Sequence, residues 1–252
     1  MKKMPAFFIS HGSPTTLIDM QSAARKAWQG FLKGYPTAKA FLIISAHWET
    51  EDLEVTATEA PEIIYDFHGF SASLYDVKYP VPGAPEVAKR VADLTGAKLN
   101  THRGLDHGAW VPLKIMAPDA KRPVIQLSLP SHWRPEQLAE IGKKIDVLRE
   151  EGVIIIASGA LTHNLRLITQ GETVADTWAF EFDKWFVDKL ETQNFKDILK
   201  AREQAPHYQM NHPRDEHFLP IHFLMDLPET KAEIIHRGFE FKNLSMVSAV
   251  FS

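Results

Sequence analysis

The sequence predicts an α/β fold: one domain with a mostly parallel central sheet flanked by helices, and a metal site at the carboxyl ends of its strands. Three observations predict it. Short apolar runs, β-branched or aromatic, recur along the chain. Segments of helical period lie between them. Several of the runs end in small residues followed by a histidine. Strands that alternate with helices imply βαβ crossovers, and hence parallel strands covered on both faces.

The runs at residues 6–9, 40–44, 124–127 and 153–157 read as buried strands. Each is too short for a helix and is rich in side chains that suit a pleated surface. Residues 53–57 are a further strand candidate, expected at an edge. Residues 22–32 carry apolar positions at helical spacing. Residues 84–94 have Pro85 in the first turn and stop before Gly96. In residues 135–149, Leu138, Ile141, Ile145 and Leu148 share one face, and Gly152 follows the end. Residues 176–190 are a fourth helix. Residues 214–225 are a fifth, with Pro213 ahead of it and acidic residues in its first turn. Residues 60–83 are rich in Pro, Gly and aromatic side chains and read as a long loop. Loops beyond ~12–15 residues are uncommon unless they are functional. No repeat or linker interrupts the chain, so residues 1–252 are expected to form a single catalytic domain.

Composition narrows the chemistry. The 252 residues are 44% hydrophobic and 24% charged, enough to bury a core that excludes water from a small site. A net charge of −4 without a basic block disfavours nucleic acid as a partner. The absence of cysteine excludes disulfides, thiolate catalysis and Cys-type zinc sites, and fits a cytoplasmic location. The N-terminal residues 1–10 resemble a signal n-region only briefly, since the apolar run is shorter than the ~7–15 residues of an h-region. No run approaches the ~18 apolar residues of a membrane span. Twelve histidines are present. A bound metal must therefore use imidazole and carboxylate, ligands that suit Fe(II), Zn, Mn or Cu.

Three runs share one ending: Ile9-Ser10-His11-Gly12, Ile44-Ser45-Ala46-His47 and Ala157-Ser158-Gly159, the last followed by Ala160-Leu161-Thr162-His163. The carboxyl ends of parallel strands form the ligand crevice of such a sheet. Three strands would thus deliver His11, His47 and His163 to one edge. The small residues let backbones approach and leave room for a metal and a substrate. In Asp215-Glu216-His217-Phe218, either His217 or Glu216 could complete the metal shell, or Glu216 could simply be a first-turn acid. In Asp106-His107-Gly108, read as a Gly-containing loop, the carboxylate could tune the imidazole; a plain polar turn is the alternative. His68, on the aromatic loop, is a lid candidate or a surface residue. His102, His132, His207, His212, His222 and His236 carry no comparable context.

Taken together, the motifs resemble the LigB-type (class III) extradiol ring-cleavage dioxygenases, and within them the DOPA 4,5-dioxygenase branch. They are His-Gly-Ser-Pro at 11–14, Ser-Ala-His-Trp at 45–48, Tyr-Asp-Phe-His-Gly-Phe at 65–70, Tyr-Pro-Val-Pro-Gly at 79–83, Asp-His-Gly-Ala-Trp at 106–110, His-Asn-Leu at 163–165 and Glu-His-Phe-Leu-Pro at 216–220. The match runs in order over nearly the whole chain. It implies His11 and His47 as metal ligands. His217 takes the third position, where the wider family uses a carboxylate. His163 matches the catalytic base and could also approach the metal. His107 matches a residue that assists at the substrate or oxygen.

The resemblance implies one divalent metal, Fe(II) for activity or Zn(II) as found. It also implies a small catecholic, DOPA-like substrate that opens with O2 to a muconic semialdehyde. Trp48, Phe67, Phe70 and Trp110 are candidate pocket walls. Two other readings fit a histidine cluster in an α/β sheet: a zinc-dependent hydrolase, and a non-catalytic binding member of the same fold.

Overall fold

Alternation along each central strand sets the layers. In β1 (Ala6–Ser10), Phe8 joins one hydrophobic core, while Phe7 and Ile9 join a second on the opposite face. β2 (Ala40–Glu49) divides in the same way, Leu42 and Ile44 against Phe41 and Ile43. Each such side chain contributes roughly 1.5–3 kcal/mol when fully buried. The computed structural model describes residues 3–169 and 174–252. Met1 and Lys2, on which the reading of the N-terminal segment partly rests, lie outside them.

The remaining strands are β3 (Glu54–Thr56), β4 (Lys98–Asn100), β5 (Val124–Leu129), β6 (Val153–Gly159), β7 (Ala232–His236), β8 (Phe239–Glu240), β9 (Leu244–Ser245) and β10 (Ser248–Phe251). Eight of them form one sheet, in the order β4-β3-β5-β2-β6-β1-β10-β7. The centre is parallel: β2 pairs with β5 and β6, and β6 with β1. The margins are mixed, with β10 antiparallel to both β1 and β7, and β3 antiparallel to β5. The mostly parallel sheet is as expected. Residues 53–57 are not the edge, however, because β4 pairs outside β3.

Helices cover both faces. α1 (Ala23–Phe31) and α4 (His107–Met116) pack on one side. α3 (Pro85–Thr95), α5 (Pro135–Ile145) and α7 (Thr177–Glu191) pack on the other. The expected helix 135–149 breaks at Asp146, after which α6 (Val147–Glu150) begins. The loop at 60–83 holds the single-turn α2 (Ala72–Tyr75) and one isolated bridge, Ile63 to Leu105.

Two expectations fail. Residues 214–225 form no α-helix; a turn leads into a 3-10 helix at Leu219–Leu224. The His217 carbonyl, which an α-helix would use for Ile221, instead accepts the Ala160 N–H at 2.8 Å. Pro220, which lacks an N–H, follows. Asp106-His107-Gly108 is not a loop but the start of α4, with Asp106 as its N-cap. That helix is buried at every position but Lys114 and contains Pro112, so it shows no amphipathic period.

Candidate metal centre

Each histidine is placed by its own backbone contacts. His11 extends β1, donating its N–H to Gly159 O at 2.9 Å. His47 lies within β2, which runs past the expected end at Ile44 after a shift in register. His163 follows β6 and donates its N–H to Asn211 O at 3.0 Å. His217 is drawn to the end of β6 by the Ala160 bond. A Cβ at Gly159 would lie 2.1 Å from His217 O, so only glycine permits that approach. His107 is the first residue of α4, whose cap Asp106 is fully buried and accepts from Ser45 Oγ at 2.7 Å, from Ala109 N at 3.2 Å and from Gln126 Nε2.

Three imidazoles converge. His47 Nε2 lies 3.1 Å from His11 Nε2 and 3.2 Å from His217 Nε2. Their outer nitrogens decide the tautomers. Ser158 Oγ donates its one proton to Gly108 O, so it must accept from His11 Nδ1 at 3.0 Å. His217 Nδ1 lies 2.9 Å from Glu216 Oε1, where a carboxylate can only accept. His47 Nδ1 faces Asp66 Oδ2 at 3.7 Å. Hydrogen bonds thus assign the Nδ1 proton at His11 and His217, and the Asp66 charge favours the same tautomer at His47, in which three Nε2 lone pairs face one another. Such contacts repel unless a cation lies between them. The separations suit a divalent ion bound at about 2.0–2.1 Å per nitrogen. A Cβ at Gly108 would meet Ser45 Oγ at 2.5 Å, His47 Cδ2 at 3.0 Å and His11 Cε1 at 3.2 Å. The packing of these rings therefore depends on a glycine in the first turn of α4.

Burial keeps the rings neutral. Desolvation, then the neighbouring imidazoles, hold His11 and His217 well below the ordinary value. His47 is lowered to about 3 by burial and by His107, with Asp66 opposing. His163 is lowered to about 3 by burial, His47 and His107. Neutral imidazole is the form that ligates a metal.

His163 stands apart from the three. Its ring stacks on His217 at 3.4 Å between centroids, 11° from parallel, and its Nδ1 lies 4.0 Å from Glu216 Oε1. Its donor atoms group with Glu216 and His217, not with His11 and His47. His107 lies over His47, with centroids 3.9 Å apart. Glu216 supports His217 rather than joining the three converging nitrogens. Phe67 stands edge-on to His107 at 5.7 Å. Trp110 is a core residue whose indole donates to Ile64 O, and Trp48 lies under the Arg103 guanidinium. His68 is exposed. His212 and His222 are core histidines bonded to Leu161 O and Leu219 O. A cavity of about 490 Å³, lined in part by Glu49, Arg202, Tyr208, Arg214 and Glu216, adjoins the cluster on the outer side of Glu216.

Sequence reasoning assigned no role to Asp66 and read the serines only as small. The serines bond: Ser10 accepts from Leu161 N, Ser45 donates to Asp106, and Ser158 orients His11. A serine one residue before a candidate His, or at the matching position of the neighbouring strand, was the available signal.

A parallel sheet with histidines at its carboxyl edge, their inner nitrogens bare, defines a metalloenzyme-like α/β protein. Residues 5–252 match the family model described as the catalytic LigB subunit of aromatic ring-opening dioxygenase, and the chain belongs to that family. It is 40% identical to a 4,5-DOPA dioxygenase extradiol of Beta vulgaris, covering 98% of this chain and 96% of that one. It is 34% identical to the protein of that name from Escherichia coli K12, covering 98% and 94%. The crystal structure of an uncharacterized Escherichia coli K12 protein superposes with a TM-score of 0.82 at 31% identity, covering 98% and 99%. The chain is therefore an extradiol dioxygenase, and the hydrolase and non-catalytic readings fall away. Among the described residues no helix is long and apolar enough to cross a membrane.

Proposed function

We propose that the enzyme opens the ring of a catechol, DOPA-like in class, with dioxygen and one divalent metal. His11, His47 and His217 hold the ion, His163 is the base, and His107 assists at the substrate. The observation that carries this reading is the convergence of three Nε2 atoms at 3.1 and 3.2 Å, with the Nδ1 atoms of His11 and His217 hydrogen-bonded elsewhere. When bound, such an ion supplies Lewis acidity that lowers a catechol pKa and, as Fe(II), the electrons that engage dioxygen. Both oxygen atoms of O2 enter the product as one ring C–C bond breaks, so no external reductant is consumed.

The side chains supply orientation and proton transfer. His163 is neutral near pH 7, the state in which a base must start. Once protonated, it faces the Glu216 carboxylate 4.0 Å away, which favours the cation. His107, buried at the N-terminus of α4 beside Phe67, presents an imidazole in a water-poor setting.

The test is to load the protein anaerobically with Fe(II), add a panel of catechols including DOPA, admit O2, and follow oxygen uptake and a yellow product. Uptake with stoichiometric ring opening is expected. No uptake with any catechol would sink the reading. His163→Ala is expected to lose turnover while retaining metal; loss of metal instead would make His163 a ligand.

A further inference from the structure

We propose that Asp66 is a shared positioning carboxylate, aligning the ligand His47 and the neighbouring His107 from a loop strap that depends on Gly104. This rests on the metal reading above. Asp66 Oδ1 accepts the His107 backbone N–H at 2.9 Å. That bond lies at the N-terminus of the ten-residue α4, where the helix dipole favours an anion. The same oxygen is 3.0 Å from His107 Nδ1, and Oδ2 is 3.7 Å from His47 Nδ1. His107 Nδ1 has no aligned hydrogen-bond partner among the described residues, so this carboxylate is the charged group it faces. One anion therefore constrains two rings whose centroids are 3.9 Å apart. A carboxylate on the outer nitrogen of a ligating histidine fixes its tautomer and orientation.

The strap that carries Asp66 is pinned on both sides. Ile64 N donates to Leu105 O at 2.7 Å, and Leu105 N to Glu62 O at 2.8 Å. Trp110 Nε1 donates to Ile64 O at 3.0 Å, and Tyr65 OH to Val77 O at 2.6 Å. Phe67, next along, is buried against His107. A Cβ at Gly104 would lie 2.2 Å from Glu62 O, so any other residue pushes the strap outward and takes Asp66 with it.

The experiment uses Co(II) as the probe. Wild type, Asp66→Asn, Asp66→Ala and Gly104→Ala are titrated with Co(II) against a chelator. Their visible Co(II) spectra are recorded, and the metal-free proteins are melted. Asp66→Asn is expected to keep the wild-type melting temperature, to lose about 10–100-fold in Co(II) affinity, and to shift the spectrum. Asp66→Ala and Gly104→Ala should follow in the same direction. Unchanged affinity and spectrum in both Asp66 variants would overturn the proposal. So would a second Co(II) equivalent in wild type that Asp66→Asn alone removes, since Asp66 would then be a ligand. A wild type that binds no Co(II) overturns the metal reading itself and this inference with it.

Discussion

The two ends of the central sheet bury polar groups in opposite ways. At the amino end, Arg149 is 1% exposed. It donates to Met4 O at 2.6 Å, Asp146 Oδ1 at 2.8 Å, Thr230 Oγ1 at 3.1 Å and Phe251 O at 2.9 Å. Those bonds tie the segment before β1 to the end of β10, and all three guanidinium nitrogens are used. At the carboxyl end, His11 and His217 are nearly as deeply set and His47 is half-buried; the outer nitrogens of His11 and His217 are hydrogen-bonded, while the inner ones of all three face one another. A saturated cluster stabilises the fold; an unsaturated one is what the proposed metal centre requires. Burial alone does not distinguish them, whereas the hydrogen-bond accounting does.

That contrast can be broken most sharply at His47. His47→Ala is expected to reduce metal affinity and ring opening well beyond the ~10–100-fold typical of losing a ligand's hydrogen-bond partner, while the metal-free protein melts no lower than wild type. Calorimetric metal titration beside thermal unfolding checks both halves. A large loss of metal-free stability would mean the cluster is structural, like Arg149.

Acid should weaken the metal-free fold through its buried histidines, His212 and His222 as well as those of the cluster. His47 and His163 are lowered to about 3 by burial and neighbouring imidazoles, below the unfolded value of about 6.5. Between these values the unfolded chain binds more protons, so stability rises with pH and is lost as pH falls from about 6.5 towards 3. Each such histidine contributes a slope of roughly 1 kcal/mol per pH unit. Denaturant unfolding of the metal-free protein at pH 7, 6 and 5 measures it; a flat profile would contradict the neutral-histidine assignment.

At the amino end, Arg149→Met fills the space but leaves Met4 O and Phe251 O without their donor. The expected cost is about 3 kcal/mol, or a melting temperature roughly 6–12 °C lower. Metal affinity of the folded protein should not change. The smallest effect is expected for Ser158→Ala, which removes the acceptor that fixes the His11 tautomer. A loss near the low end of the ~10–100-fold range in metal affinity would fit, with a lower melting temperature because Gly108 O loses its donor; no change in affinity would remove tautomer control from the account.

The strand runs at 6–9, 40–44, 124–127 and 153–157 were legible because a short β-branched run carries its own signal, whatever packs on it. Helix 22–32 was legible from its period and helix 84–94 from Pro85 and Gly96 as end signals, and both stand in the structure. α4 was not, because a helix buried nearly all round has no polar face to reveal its period. The segment at 214–225 misled because the deciding bond, His217 O with Ala160 N, is long-range. Of the candidate site, His11, His47 and His217 come together as the resemblance implied, whereas His163, which the strand-end pattern set beside His11 and His47, groups with Glu216 and His217. The choice between His217 and Glu216 was open from the residues alone, since either could face the ion. The contacts orient His217 inward and set Glu216 behind it.

The amino-acid sequence by itself determined the α/β layering and the delivery of histidines to strand ends, because both follow from local pattern and the geometry of parallel strands. Only the tertiary structure decided which nitrogens are bare. That depends on Ser158, Glu216 and Asp66 arriving from β6, the turn after the short helix Tyr208–Asn211 and the 60–83 loop. Hydrogen bonds between residues distant in sequence assign the protons, and no periodicity encodes them.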